Sequence, residues 1–134
     1  MLGEMIGEIR GQGISTRVLP DEGQGPRMEV TDQGMGTLCG LSVTQTVTYV
    51  GTMRPNGTIS GGGSGMTMTS DGEAATFRGT GVGRFVRPGV ISWRGALLYE
   101  TASEKLGSLN GIAVLFEYEI DESGKSEGRL YEWK

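Results

Sequence analysis

An all-β chain that closes into an antiparallel up-and-down barrel of about eight strands is the fold this sequence predicts. Three observations point there. Glycines sit near the middle of neighbouring extended segments: Gly61, Gly62, Gly63 and Gly65, then Gly79, Gly81 and Gly83, then Gly95. Glycine packs nothing and costs backbone entropy in a flat strand, so it belongs where a sheet bends hard or another group comes close. Turn signals at Asn56-Gly57, Asp71-Gly72 and Pro88-Gly89 recur about fifteen to seventeen residues apart, as a meander requires. Finally, no helical period runs long enough to cover an open sheet. Closure removes the unpaired edges that such a sheet would leave.

The elements follow in order. Leu2 to Leu19 alternates loosely, with Ile6, Glu8, Arg10, Gln12 and Ile14 opposite Met5, Gly7, Ile9, Gly11 and Gly13. Pro20 to Pro26 is a loop by composition. Arg27 to Leu38 reads as a strand interrupted near Gly34 and Gly36, and Gly40 as a bend. Leu41 to Met53 is the cleanest strand: Leu41, Val43, Gln45, Val47, Tyr49 and Met53 share one face, and threonines dominate the other. That division predicts apolar in and threonine out. In Glu73 to Val86 the odd positions, with Phe77 and Phe85, go inside; in Gly89 to Thr101 so do Ile91, Trp93, Leu97 and Tyr99. Thr101 to Asn110 is a tight connector with room for one helical turn at Ser103–Leu106, capped by Ser103. Gly111 to Ile120 turns Ile112, Val114, Phe116 and Tyr118 inward, and Ser126 to Lys134 closes the set.

Composition narrows the rest. The 134 residues suit one domain, residues 1–134, with no linker in view. A net charge of −4 with 21% charged residues argues against nucleic acid and against attraction to anionic membranes. No apolar run approaches the ~20 residues of a membrane-spanning helix. Cys39 is the sole cysteine, so neither an intrachain disulfide nor a thiolate metal cluster can form. Met1 to Arg10 carries Glu4 and Glu8 and lacks a signal-peptide pattern, so the expected setting is cytoplasmic. There is no histidine, which removes Ser-His-Asp and Cys-His catalysis and His-based zinc sites. Any chemistry must use carboxylates, tyrosines, arginines, lysines, Cys39 or oriented water. No metal and no cofactor are expected.

Several local patterns have plain readings. Gly124-Lys125-Ser126 resembles the end of a phosphate-binding loop, but Glu119 stands where the first glycine is needed. Gly79-Thr80-Gly81-Val82-Gly83 brings its third glycine one residue early for a dinucleotide fingerprint. Cys39 lacks a histidine partner and reads as a small buried hydrophobe. Arg78, Arg84 and Arg94 fall on the outer face with Glu73 and Glu100 as candidate cross-strand ion-pair partners, and read as a solvated or subunit-contact face rather than an anion site.

The inward aromatic residues carry the functional expectation. Tyr49, Phe77, Phe85, Trp93, Tyr99, Phe116 and Tyr118, with Met66 and Met68, are expected to line one interior. Facing glycines leave room beside these rings, and that pattern makes either a ligand cavity or tight packing of large against small. The phenols of Tyr49 and Tyr99 and the amide of Gln45 are polar groups on that side, and a ligand can partner them.

At Ser103-Glu104-Lys105-Leu106-Gly107-Ser108-Leu109-Asn110-Gly111, followed by the strand Ile112 to Tyr118, the chain resembles the last hairpin of the allene oxide cyclase-like barrels, which include small uncharacterised bacterial members. Gly79 to Gly83 fits the same picture. The resemblance covers the C-terminal half, from Asn56 onward. It implies an eight-stranded antiparallel barrel with an apolar cavity, often oligomeric, that cyclises or isomerises a reactive small molecule by holding it in a reactive shape.

Three functions follow as expectations. The first is binding of a small apolar or aromatic molecule inside the barrel, oriented by Tyr49, Trp93, Tyr99 and Gln45. The second is a cyclase or isomerase using the same pocket. The third is a self-association module with a filled core whose outer Val82, Ala96 and Leu98 meet a second copy as a homodimer.

Overall fold

Period-two segments bounded by glycine turns fold into eight strands: β1 (Leu2–Leu19), β2 (Arg27–Leu38), β3 (Leu41–Met53), β4 (Ile59–Thr69), β5 (Ala74–Arg87), β6 (Val90–Glu100), β7 (Ala113–Ile120) and β8 (Lys125–Trp133). The structure, a computed structural model, describes residues 2–134; Met1 lies outside the described residues. Each strand pairs antiparallel with the next, and β8 pairs back onto β1, so the sheet closes in chain order. Among the described residues no helix is long and apolar enough to cross a membrane.

The register explains the glycines. Along the hydrogen-bond direction Gly51 pairs with Gly61, Gly61 with Gly81, and Gly81 with Gly95, one from each of β3, β4, β5 and β6. This inward row has no side chains, so rings from neighbouring positions pack close against the wall. A methyl built on Gly95 would stand 2.8 Å from Phe116 Cε2, and one built on Gly65 would stand 2.3 Å from Phe77 Cζ. Here the close approach of a ring, rather than curvature alone, requires glycine.

The turns also follow local chemistry. β2 runs without interruption to Leu38, which pairs directly with Leu41. Cys39 and Gly40 between them both take positive φ, 52° and 78°. That is the mirror-image turn suited to the twist of two paired strands. The predicted helical turn at Ser103–Leu106 is displaced: a 3₁₀ turn forms at Gly107–Leu109. The Ser103 hydroxyl still accepts the Leu106 N–H at 3.3 Å, so it steers the chain into that turn.

The two ends of the barrel differ. At one end the connector over 101–112 sinks Leu106 and Leu109 completely into the interior. They join a core with Leu38, Phe77, Tyr99 and Val114 and plug that end. Thr101 holds the plug in place: its backbone N–H donates to Asn110 Oδ1 at 3.0 Å, and its hydroxyl donates to the Ala74 carbonyl at 2.7 Å. The opposite end is framed by the loops at 20–26, 54–58, 88–89 and 121–124. There Val18, Met28, Met53 and Phe85 are exposed and form an apolar rim.

Candidate functional site

Between the plug and the open end lies a cavity of about 100 Å³, walled mainly by apolar atoms. β3 contributes Gln45, Val47 and Tyr49, β5 contributes Phe77, β6 contributes Trp93 and Leu97, and β7 contributes Phe116 and Tyr118. Backbone of Gly61, Gly63, Gly79 and Gly81 completes that side. The far wall is Ile9, Asp32, Ser126, Gly128 and Leu130, from β1, β2 and β8.

Of the residues expected from sequence, Gln45, Tyr49, Phe77, Trp93, Phe116 and Tyr118 therefore surround one space. Tyr99 does not reach it. It is buried at the plugged end, with its ring 5.2 Å from that of Phe77. Met66 and Met68 need correction. In β4 the residues paired with inward Phe77 and Ala75 are Gly65 and Thr67, so both methionines point outward, 45% and 39% exposed. Phe85 keeps inward parity opposite Ile91, but it stands at the rim, 50% exposed, just before a register shift. It is not part of the cavity wall.

The polar centre of the cavity is Asp32, which the sequence reading did not single out. It is 5% exposed. The Tyr118 hydroxyl donates to its Oδ2 at 2.7 Å, and the Tyr49 hydroxyl reaches the Tyr118 oxygen at 3.5 Å. The rings of Tyr49, Tyr118 and Trp93 meet edge to face, with Tyr49 at the centre, 5.9 Å from Tyr118 and 5.7 Å from Trp93. This geometry suits the ring quadrupoles. Gly11 leaves the notch that Asp32 fills: a methyl there would stand 2.4 Å from Asp32 Oδ1. The available signal was an acid in the inward series Val30, Asp32, Gly34, Gly36 and Leu38, readable only once the register of β2 is known.

Burial sets the electrostatics. Loss of water pushes the Tyr49 phenol up to about 12; its hydrogen bond with Tyr118 works against that, and the nearby Asp32 adds to it. Burial likewise pushes Tyr118 far above the ordinary phenol range, reinforced by Tyr49 and Asp32. Both phenols stay neutral donors through the physiological range. Tyr99 is also raised, chiefly by burial and secondarily by the Cys39 sulfur. Among the described residues its hydroxyl has no hydrogen-bond partner; Thr67 stands nearby and opposes the shift, but donates instead to Gln45 Oε1 at 3.3 Å. Among the same residues the Trp93 indole N–H is buried without a partner as well.

The outer face is conventional. Arg94 and Arg129 both pair with Glu117, at 3.6 and 3.2 Å, rather than Arg94 with Glu73 or Glu100. Arg78 and Arg84 form no ion pair among the described residues. Glu73 pairs instead with Lys105 of the plug connector at 3.5 Å. Val82 and Leu98 are exposed on this face. Among the described residues no three His, Cys, Asp or Glu side chains converge as metal ligands.

No protein-family model and no curated protein matches the sequence. Solved structures do match in fold. A protein of unknown function from Clostridium acetobutylicum superposes with a TM-score of 0.83 at 15% identity, covering 98% of each chain. A β-barrel-like protein from Acinetobacter baumannii gives 0.82 at 14% identity, covering 100% of this chain and 96% of the other. An enzyme from Penicillium herquei gives 0.68 at 17% identity, covering 96% and 92%. At such identities the likeness is one of fold.

Proposed function

We propose that this barrel binds a small, largely apolar ring compound in its interior. The observation that carries the reading is the cavity itself: about 100 Å³, lined by Leu97 and Leu130 and by aromatic rings laid against glycine backbone. That volume is on the order of the ~150 Å³ apolar cavity known to admit benzene. It is smaller than the roughly 300–1,000 Å³ of sites for drug-sized ligands. The ligand is therefore small, or it enters by displacing wall rings toward the open end.

Trp93 is central to the pocket, because it forms wall on β6 and lies over Gly61 and Gly83 of neighbouring strands. Native mass spectrometry of freshly purified wild type and Trp93→Ala tests the reading. A small-molecule adduct on wild type that Trp93→Ala loses supports it. An adduct that both proteins retain equally would show that the molecule sits elsewhere.

A second reading is a cyclase or isomerase of the allene oxide cyclase-like kind. It is favoured by the Tyr49–Tyr118–Asp32 chain, which places neutral donors and a carboxyl against the cavity. The fold likeness to a Penicillium herquei enzyme is compatible with it. Catalysis would then consist of holding a reactive substrate in shape while a phenol polarises it. Under this reading Tyr118→Phe slows turnover far more than it weakens binding.

A further inference from the structure

We propose that the ligand carries a hydrogen-bond donor, a hydroxyl or amino group on its ring, and that Asp32 accepts it. The inference rests on the interior-binding reading and adds the chemistry of the ligand's polar end.

The argument starts from what Asp32 lacks. Its Oδ2 is occupied by the Tyr118 hydroxyl. Among the described residues its Oδ1 receives no hydrogen bond, and no Lys or Arg forms an ion pair with it. A carboxyl in a residue this buried is normally held by several donors. The nearby groups do not supply one: Ser126 Oγ borders the same Gly11 notch and Gln45 lines the same cavity, but neither donates to Oδ1 among the described residues. Tyr49 directs its hydroxyl to Tyr118, Ile9 and Leu130 are apolar, and Gly11 offers only the notch.

The chain thus spends a glycine on β1 and a tyrosine on β7 to hold an acid on β2 at the wall of an otherwise apolar cavity. A filled core would not need the acid. A purely hydrocarbon ligand would leave its Oδ1 unpartnered. A ring bearing one donor satisfies both halves of the site: its body lies among Tyr49, Trp93, Leu97 and Phe116, and its donor reaches Oδ1.

Calorimetric titration of the purified protein with phenol and with toluene tests this, since the two differ only by hydroxyl for methyl. The added hydrogen bond to a carboxyl oxygen predicts that phenol binds several-fold to about tenfold more tightly. Asp32→Asn should shrink that preference, and Asp32→Leu should reverse it while retaining toluene. Far-ultraviolet circular dichroism checks that both variants are folded. Equal affinity of wild type for the two probes overturns the donor inference and leaves the apolar cavity standing. A phenol preference that survives both substitutions removes Asp32 from the role. Failure of both probes to bind overturns the interior-binding reading itself.

Discussion

Trp93 and Gly61 occupy one shared space: a methyl group built on Gly61 would stand 2.4 Å from Trp93 Cζ3 and 2.6 Å from Cη2. The ring also covers Gly83, where a methyl would approach to 2.9 Å. The indole is thus seated on β4 and β5 although it belongs to β6. Gly61→Ala should therefore unseat it and destabilise the protein by about 1–3 kcal/mol through overpacking. Gly62 is the control. It points the other way, its nearest contact would be 3.5 Å, and Gly62→Ala should cost nothing or stabilise by a few tenths of a kcal/mol. Urea unfolding of the two variants reads the difference directly.

Among the described residues, Tyr118 provides the one side-chain hydrogen bond that Asp32 receives. Tyr118→Phe leaves that carboxyl buried and unpartnered, at an expected cost of about 1–3 kcal/mol. Tyr49→Phe removes only a 3.5 Å contact to the Tyr118 oxygen, so its effect on the unfolding midpoint should be clearly smaller. A reversed order would mean that Asp32 is held by something other than Tyr118.

Alkali should unfold the protein through its phenols. Tyr49, Tyr99 and Tyr118 all titrate above the ordinary value of 10, Tyr49 at about 12. A raised folded-state pKa means that the unfolded chain loses its protons first. The contribution of these groups is intact below pH 10 and is lost as pH rises toward and through their folded values. Tyrosinate absorbance should accordingly lag in the folded protein and then rise together with unfolding. In Tyr118→Phe the fall of stability with pH should be less steep.

At the plugged end the effect has the opposite sign. Hydrogen bonds from Lys105 and Thr69 pull the Asp71 carboxyl down to about 2. A depressed folded-state pKa contributes stability above the ordinary 3.8, and this is lost as pH falls through about 2. Asp71 and Lys105 are solvent-exposed, so salt should screen the contribution. Asp71→Asn should flatten the acid limb of the stability profile at low salt and change little at high salt.

The barrel was legible because its evidence is local. Asn56-Gly57, Asp71-Gly72 and Pro88-Gly89 each mark a turn within a few residues, and β3 separates threonine from apolar side chains in one uninterrupted run. β4 was harder. Gly61, Gly62, Gly63 and Gly65 give neither face a chemical mark, so local pattern does not say which way Met66 and Met68 turn. Pairing with Phe77 and Ala75 of β5 decides it. Asp32 was hidden for a related reason: its partner Tyr118 is 86 residues away, and both stand together only after the sheet has closed. The 3₁₀ turn formed later than expected because Leu106 and Leu109, not Ser103, are the residues driven inside.

The most direct test of the interior site is a nuclear magnetic resonance titration with toluene, following side-chain methyls one by one. Val47, Leu97 and Leu130 face the cavity, whereas Val82 and Leu98 are exposed on the outside. Occupation of the interior predicts saturable shifts in the first three, with the outer two unmoved. Shifts confined to Val82 and Leu98, or none that saturate, would contradict it.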